Sequence, residues 1–429
     1  MPLIRKFFLL KRYIHGVWNK TQRFFLNFSI KSINNFDVTR NDLLNAIDEL
    51  KHFEHSALIF DQTKSCKYFQ LQSLIILILN SMQALRFLLL SITDNEVIRL
   101  YAGDIFVSSS ERKVLNYIFH VGIILPCMGK IFLFHLNKFG RKSFLNIFDE
   151  YQESLKQYNK EFILLSTNEM SFRKSYYILI KLYRHCPITV CFIFVLSHGS
   201  TAVFNYSSSK SFLFQIVHLA LLVPIYYFVA ASALWFLFIV LLVASFACDS
   251  IDSLTTECDK LNSINHYAWT NALSFYYKLN LLSNWIDCFN AQVAWIFMAV
   301  YIYATFHNIL IFFYLTQFTF DNLGVKILLI FSNILILTII YSSNYLGTLI
   351  GQKASSLHLS IFCISIDTGT FFNLKVALKK LHFLERIKAC EIGAYIGNYI
   401  YVNNNNTLLL TLECGSLYLL FCSNINRNN

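Results

Sequence analysis

The chain has 429 residues, of which 55% are hydrophobic and only 14% charged, where a soluble domain carries roughly 25% charged residues, and its mean hydropathy is +0.48. The net charge of +11 would point to nucleic acid in a soluble protein, but here Lys and Arg cluster between apolar runs, where they meet lipid headgroups, so membrane lipid is the expected partner and nucleic acid is not. The 37 residues from Phe212 to Cys248 hold no Asp, Glu, Lys or Arg, well past the roughly 20 helical residues that cross a bilayer, which excludes both a soluble fold and a lone anchor.

In chain order, Met1 to Lys20 shows no cleavable signal, because Arg5, Lys6, Lys11 and Arg12 interrupt its apolar patch. Apolar runs then predict seven spans. The first covers Tyr68 to Ile92, with Arg86 inside, and the second Leu115 to Leu136, with Lys130 near one end. The third covers Tyr177 to Thr201, with Lys181 and Arg184 in its first turns. The fourth is Leu213 to about Ala247, too short for two spans and a turn, so one long helix that extends beyond the membrane is expected. The fifth is Ala291 to Leu315, the sixth Val325 to Gly351, and the seventh Asn404 to Ile425. Pro126, Pro187 and Pro224 fall inside spans, where neighbouring helices tolerate a kink.

The connections are unequal. Segments 93–114, 202–212 and 316–324 are short; 137–176, 248–290 and 352–403 are long and, by alternation, share one face with residues 1–67. The long ones carry apolar residues at helical spacing, as in Phe144 to Tyr151, Leu254 to Trp285 and Phe372 to Ile387. The expected fold is an all-α polytopic membrane protein, a seven-helix bundle whose helices project past the bilayer on one side and pack there. Lys and Arg do not orient it: 26 on the long-segment side and 5 on the other are spread over about 202 and 46 residues, at nearly equal density, and long segments count for little. The sequons at Asn19, Asn27 and Asn205 conflict with one another. The 11 cysteines form no CxxC pair and none falls in a short connection, which argues against a disulfide-stapled ectodomain.

The C-terminal region carries a resemblance. Gly397-Asn-Tyr-Ile-Tyr-Val-Asn, Thr407-Leu-Leu-Leu, and Leu417-Tyr418-Leu-Leu-Phe-Cys-Ser-Asn424-Ile425 are similar to the end of insect gustatory receptors. That family closes on Thr-Tyr, five mostly apolar residues and Gln-Phe. Tyr418 matches, while Leu417 stands for the Thr, Asn424 for the Gln and Ile425 for the Phe. Chain length, seven spans, short outer loops, long inner helices and a minimal tail fit as well. The resemblance implies an inside N-terminus, an outside C-terminus, and a ligand-gated cation channel of four subunits, alone or mixed with other family members, in the plasma membrane of sensory neurons. It further implies a taste ligand, a pore lined by the last helix and an anchor domain built from the long inner helices. The implied organisation is a cytoplasmic segment 1–67, helices one to six over 68–351 with linkers 137–176 and 248–290, a re-entry and anchor helix over 352–403, and the pore helix with its tail over 404–429.

As a helix, the last span puts Asn406, Glu413, Leu417, Leu420 and Asn424 on one face. A carboxylate at membrane depth is costly and faces a cavity or a partner. Around a fourfold axis Glu413 would form a cation-attracting ring, Leu417 and Leu420 an apolar gate, and Asn424 and Ile425 the outer mouth; alternatively Glu413 pairs with Lys379 or Lys388. For the ligand, the candidates are His120, Tyr226, Tyr303 and His307, with Tyr117, His198, His218 and Asn333 beside them; each is also readable as an ordinary packed or interfacial residue. Tyr303 and His307 share a helix face. No HExxH, GxSxG or P-loop occurs, so no enzyme, metal or cofactor is expected. An odorant receptor has the same layout. A G-protein-coupled receptor would carry Asp-Arg-Tyr and Asn-Pro-x-x-Tyr signatures and a cytoplasmic tail, and a transporter would show repeats between its halves; these features are absent from the sequence.

Overall fold

A computed structural model describes residues 38–57, 67–107, 111–124, 145–157, 162–205, 209–263, 269–317, 323–363, 374, 377–382, 384–385, 395–396, 400–402 and 404–426. Gly397, Lys388, Pro126, Lys130 and most of segment 1–67 lie outside the described residues, and the side chains of Asn424 and Ile425 are likewise not described. The helices are α1 (Arg40–Ala57), α2 (Lys67–Ile92), α3 (Glu96–Tyr101), α4 (112–124), α5 (Asn146–Lys156), α6 (Glu169–Asn205), α7 (Ser209–Ser263), α8 (Trp269–Gln317), α9 (Leu323–Cys363) and α10 (Asn404–Asn426). A helix thus stands at the described part of each of the seven apolar runs. Among the described residues, the stretches Leu74–Ile92, Glu169–Val203, Lys210–Leu261 and Leu323–Phe362 are helical, long and apolar enough to cross a membrane.

The fourth run is one helix of 55 residues with Pro224 inside it. This α7 is the central column, with α6 and α9 packed along it and α8, α2 and α3 touching it at different heights. Its apolar surface runs on past bilayer length because its far half is buried in protein. Phe246, Ile251, Leu254 and Cys258 are all within 1% of full burial there.

That far half belongs to the largest core. Short amphipathic α5 turns Ile147, Phe148, Tyr151 and Leu155 inward at helical spacing. Phe148 meets Phe246 at 5.6 Å between ring centroids and Trp285 at 6.2 Å, while Phe246 meets Trp285 at 4.9 Å and Phe172 at 5.4 Å, all steeply inclined. Such edge-to-face pairs add to area burial. α1 is started by a reciprocal cap. The Thr39 backbone N–H donates to Asp42 Oδ2 at 3.1 Å and the Asp42 N–H donates to Thr39 Oγ1 at 3.2 Å. Hydrogen bonds from Thr39 hold the Asp42 carboxyl below its ordinary range.

Several boundaries differ from the sequence reading; α7 and α8 both run into the expected linker 248–290, to Ser263 and from Trp269. α6 begins at Glu169, inside the expected linker 137–176, because Phe172, Tyr176 and Ile180 continue its apolar stripe. α6 ends at Asn205 and α7 begins at Ser209, so the connection is tighter than 202–212. Segment 352–403 is not helical throughout. α9 continues to Cys363, and β1 (Tyr395–Ile396) pairs antiparallel with β2 (Ile400–Tyr401), in register Tyr395 to Tyr401 and Ile396 to Ile400. The hairpin is fastened on both sides: Tyr395 N–H donates to Asn290 Oδ1 of α8 at 3.3 Å, and Gly351 of α9 lies so close to Tyr401 that a Cβ there would run into its hydroxyl.

Candidate functional site

Buried polar side chains concentrate at the end of the bundle where the connections are short. Arg86 is 8% exposed on α2, yet its guanidinium is satisfied. Nε donates to Ala102 O at 2.5 Å, Nη2 to Gly103 O at 2.7 Å and Nη1 to Gln83 Oε1 at 2.9 Å. Arg86 therefore holds the connection after α3. That connection turns at Gly103 with φ +61°, where a Cβ would sit 2.7 Å from His218 of α7, so only glycine fits.

One residue further, the Asp104 carboxylate is fully buried. It accepts from Arg112 Nη1 at 3.0 Å, Asn116 Nδ2 at 3.2 Å and Phe106 N–H at 3.0 Å, with Arg99 at 3.6 Å. Arg112 also donates to Leu90 O, Thr93 O and Asp94 Oδ1, which closes the connection over α2 and α4. Outside this knot Lys113 bonds Asp94 at 2.7 Å and holds that carboxyl below its ordinary range. Gln215 of α7 donates to Asp104 O at 2.9 Å.

Beneath this cap lies an aromatic cluster around α4. Phe119 meets Phe106 and Phe87 at 5.4 Å each and His198 at 6.2 Å. His198 is fully buried. Its Nδ1 is 2.8 Å from Tyr226 Oη, and its Nε2 has no hydrogen-bond partner. Tyr226 stacks on Phe194 at 5.4 Å. His120 Nδ1 lies 2.7 Å from Ala84 O, and Asn80 Nδ2 donates weakly to Ile123 O at 3.5 Å. A buried imidazole nitrogen without a partner costs about 1–3 kcal/mol. An arriving hydroxyl or carbonyl would remove that cost, and the surrounding rings supply stacking surface.

Of the sequence candidates, His198 and Tyr226 meet here, while His120 is tied to Ala84 of α2 and lies beside Tyr117. Tyr303 and His307 do stack, at 6.0 Å, on α8, with His307 packed beside Gly122 of α4. His218 is taken by the connection, with Nε2 3.1 Å from Tyr101 O. Asn333 ties α9 to α8 through Asn308 O, and Tyr117 is exposed. Sequence reasoning missed Asp104 and Arg112. It noted Arg86 inside a span without giving it a role, although a lone arginine in an apolar run is the signal that could have found the knot.

The last helix is attached along one side. Tyr418 Oη bonds Thr316 Oγ1 at 2.9 Å and accepts from Gln317 Nε2 at 3.4 Å, and its ring meets Phe312 at 5.2 Å. Glu413, Leu417 and Leu420 lie about 100–160° around the helix from Tyr418 and are exposed in the single chain, as are Leu409, Leu412 and Leu419. Among the described residues no ion pair reaches Glu413, and Lys379 is exposed.

No family model and no curated protein matches the sequence. Solved structures do. The insect olfactory receptor OR5 from Machilis hrabei is similar at a TM-score of 0.54 and 9% identity, with 89% of this chain and 99% of that one covered. The same receptor in complex with eugenol is similar at 0.63 and 10% identity, with 90% and 100% covered. Both are structures of a receptor, and a multi-pass membrane protein fits the long apolar helices. Over about nine tenths of its length, the chain shares the helical fold of an insect olfactory receptor.

Proposed function

We propose that the chain is a subunit of a gustatory receptor, a ligand-gated non-selective cation channel in the plasma membrane of sensory neurons. The likeness to the OR5 fold across the whole of that chain supports the receptor-channel part of this reading, and the taste role rests on the C-terminal resemblance around Tyr418. In this reading seven helices span the bilayer, the N-terminus is inside and the C-terminus outside. The long-helix core is the intracellular anchor, and four copies, alone or with other receptors, meet around α10. The one-sided attachment of α10 supports it, because the leucine-rich face carrying Glu413, Leu417 and Leu420 is left for partner subunits and an axial pore. Asn424 and Ile425 would stand at its outer mouth, and Tyr418, with Gly397 upstream, is the family's motif position.

The ligand, a small-molecule tastant, enters the capped cluster. His198 Nε2 and Tyr226 Oη bond its polar group, and Phe119 and Phe194 stack on its apolar part; His120 of α4 and the stacked pair Tyr303 and His307 of α8 are further contacts. Gating is a shift of population toward the state that binds the ligand better. A second reading, an odorant receptor of the same fold, is favoured by the identity of the matched structures; ligand and expression site separate the two.

The test is current recording from cells expressing the chain alone, with sugars, bitter compounds, amino acids and volatile phenols applied outside. Glu413→Gln should lower cation permeability several-fold at unchanged surface expression. Unchanged permeability removes the acidic ring, and an antibody tag on the N-terminus that is reachable on intact cells removes the whole arrangement.

A further inference from the structure

We infer that α3 is a lipid-docking face, with its apolar side seated on phospholipid at the headgroup boundary of the leaflet on the short-connection side. The six residues Glu96 to Tyr101 are amphipathic, but the helix is turned inside out for a protein in water. At about 100° per residue, Leu100, Val97, Tyr101 and Ile98 fill an arc of about 160°, and Glu96 and Arg99 take the rest. The apolar arc faces out: Val97 is 61% exposed, Tyr101 60% and Ile98 37%. The Arg99 side chain faces in, where it stands 3.6 Å from the buried Asp104 carboxylate and donates from Nη2 to Val107 O at 3.4 Å.

The neighbours of this face decide what covers it. On α2, Ile75, Ile78, Met82, Leu85, Leu89 and Ile92 are exposed at steps of three or four residues. Nearly all of that stripe lies on Leu74–Ile92, long and apolar enough to cross a membrane. On the other side, Leu213 and Val217 of α7 are exposed as well, and Tyr101 sets its ring edge-on to Phe214 at 5.1 Å. The face of α3 thus continues two apolar stripes, and lipid covers all three at once where water would leave them bare. A second copy fits less well, because α10, with its open leucine face, packs on α8 and α9, whereas α3 packs on α7. Asp94, Asn95 and Glu96 are exposed directly before the apolar arc. Polar and apolar exposure therefore meet along one line, and Tyr101 is a residue type favoured at a membrane–water boundary.

The face is held in place from within. Asn95 Oδ1 caps α3 by accepting from Val97 N–H at 2.9 Å and Ile98 N–H at 3.3 Å. At the other end, Ala102 N–H donates to Ile98 O at 2.8 Å and Gly103 N–H to Leu100 O at 3.1 Å. Arg86 binds the carbonyls of those same two residues. Six residues are too few to hold a helix alone, so lipid on one side and Arg86 and Asp104 on the other hold it between them. The inference rests on the apolar helices crossing a bilayer. It does not rest on the chain being a channel or on which face is outside.

The test is depth-resolved labelling of the unaltered full-length protein in phosphatidylcholine nanodiscs. One probe is phosphatidylcholine with a diazirine next to the acyl carbonyl, and the other carries it at the chain end; adducts are mapped by mass spectrometry. The carbonyl-proximal probe should label Val97, Ile98 or Tyr101 at least fivefold more than the chain-end probe does. The chain-end probe should label the middle of the α2 stripe, Ile78 to Leu85. Val97→Glu should cut the α3 adducts at least threefold and leave those on α2. If that variant fails to fold, the two-probe comparison on the unaltered chain still decides. No adducts on α3 while α2 is labelled would overturn the inference, whether water or a second copy covers the face. So would equal labelling of α3 by both probes, or α3 adducts that a folded Val97→Glu does not reduce. Absence of adducts on α2 as well would remove the membrane placement on which the inference stands.

Discussion

The two ends of the bundle are held by different physics. At the long-helix end, Phe148, Phe172, Phe246 and Trp285 interlock through area and ring geometry. At the short-connection end, Arg86, Asp104, Arg112 and Gln215 hold a connection through directional bonds to buried carbonyls and one buried carboxylate. Non-directional packing tolerates substitutions of similar volume. A buried charge network does not, because each lost partner leaves another group unpaired. The first arrangement suits a region that tolerates changes of shape. The second suits a cap that must be uniquely placed over the cluster around Phe119, His198 and Tyr226.

The sharpest way to break this contrast is Asp104→Ala. It strands Arg112 and Asn116 in a dry site, and removing one member of a buried pair costs about 3–5 kcal/mol. Thermal unfolding in detergent should show a large fall in melting temperature. Asp104→Asn, which keeps the volume and loses the charge, should be nearly as damaging. A mild effect of Asp104→Asn would mean that the cap is held by shape after all.

At the opposite end Phe246→Ala should cost about 3–5 kcal/mol through the cavity it leaves, but Phe246→Leu should recover more than half of that. The two conservative variants measured side by side form the decisive pair. Equal loss at both positions would erase the distinction between a shape-tolerant and a charge-specific region.

How much of this was legible in the sequence follows the same division. The helices were legible, because apolar runs report burial in lipid or protein without needing a partner. The 55-residue α7 was read as one long helix since its uncharged run is too short for two spans and a turn. The cap was not legible, because Arg86, Asp104, Arg112 and Gln215 come from three apolar helices and a connection, and nothing periodic links them. Nor was the hairpin, although Tyr395, Ile396, Ile400 and Tyr401 are strand-forming types. Two strands of two residues are too short to show an alternation. Tyr418 was found by its motif, but its partner Thr316, 102 positions away, was not.

That partner gives the next test. Tyr418→Phe keeps the ring contact with Phe312 and removes the bonds to Thr316 and Gln317, a loss of about 1 kcal/mol. If α10 is fastened mainly at this point and the chain is the channel proposed above, the variant should lower the concentration of agonist needed, or raise resting current, with little change in melting temperature. Tyr418→Ala, which also loses the ring packing, should do both.

The smallest expected effect concerns charge at the surface of the long-helix end, where Glu49 of α1 pairs with Lys181 and Arg184 of α6. The hydrogen bond from Lys181 is the largest influence on Glu49 and draws its carboxyl below the ordinary value of 4.5. A folded-state value lower than the unfolded one stabilises the fold above the unfolded value, and that contribution fades as pH falls through the folded value. The group is mostly exposed, so the pair should contribute at most about 1 kcal/mol and less at high salt. Glu49→Gln should therefore leave the melting temperature within a few degrees at neutral pH and slightly flatten its decline below about pH 4.5. An effect at neutral pH as large as that of Phe246→Ala would show that ion pairs, not interlocked rings, hold α1 to the bundle.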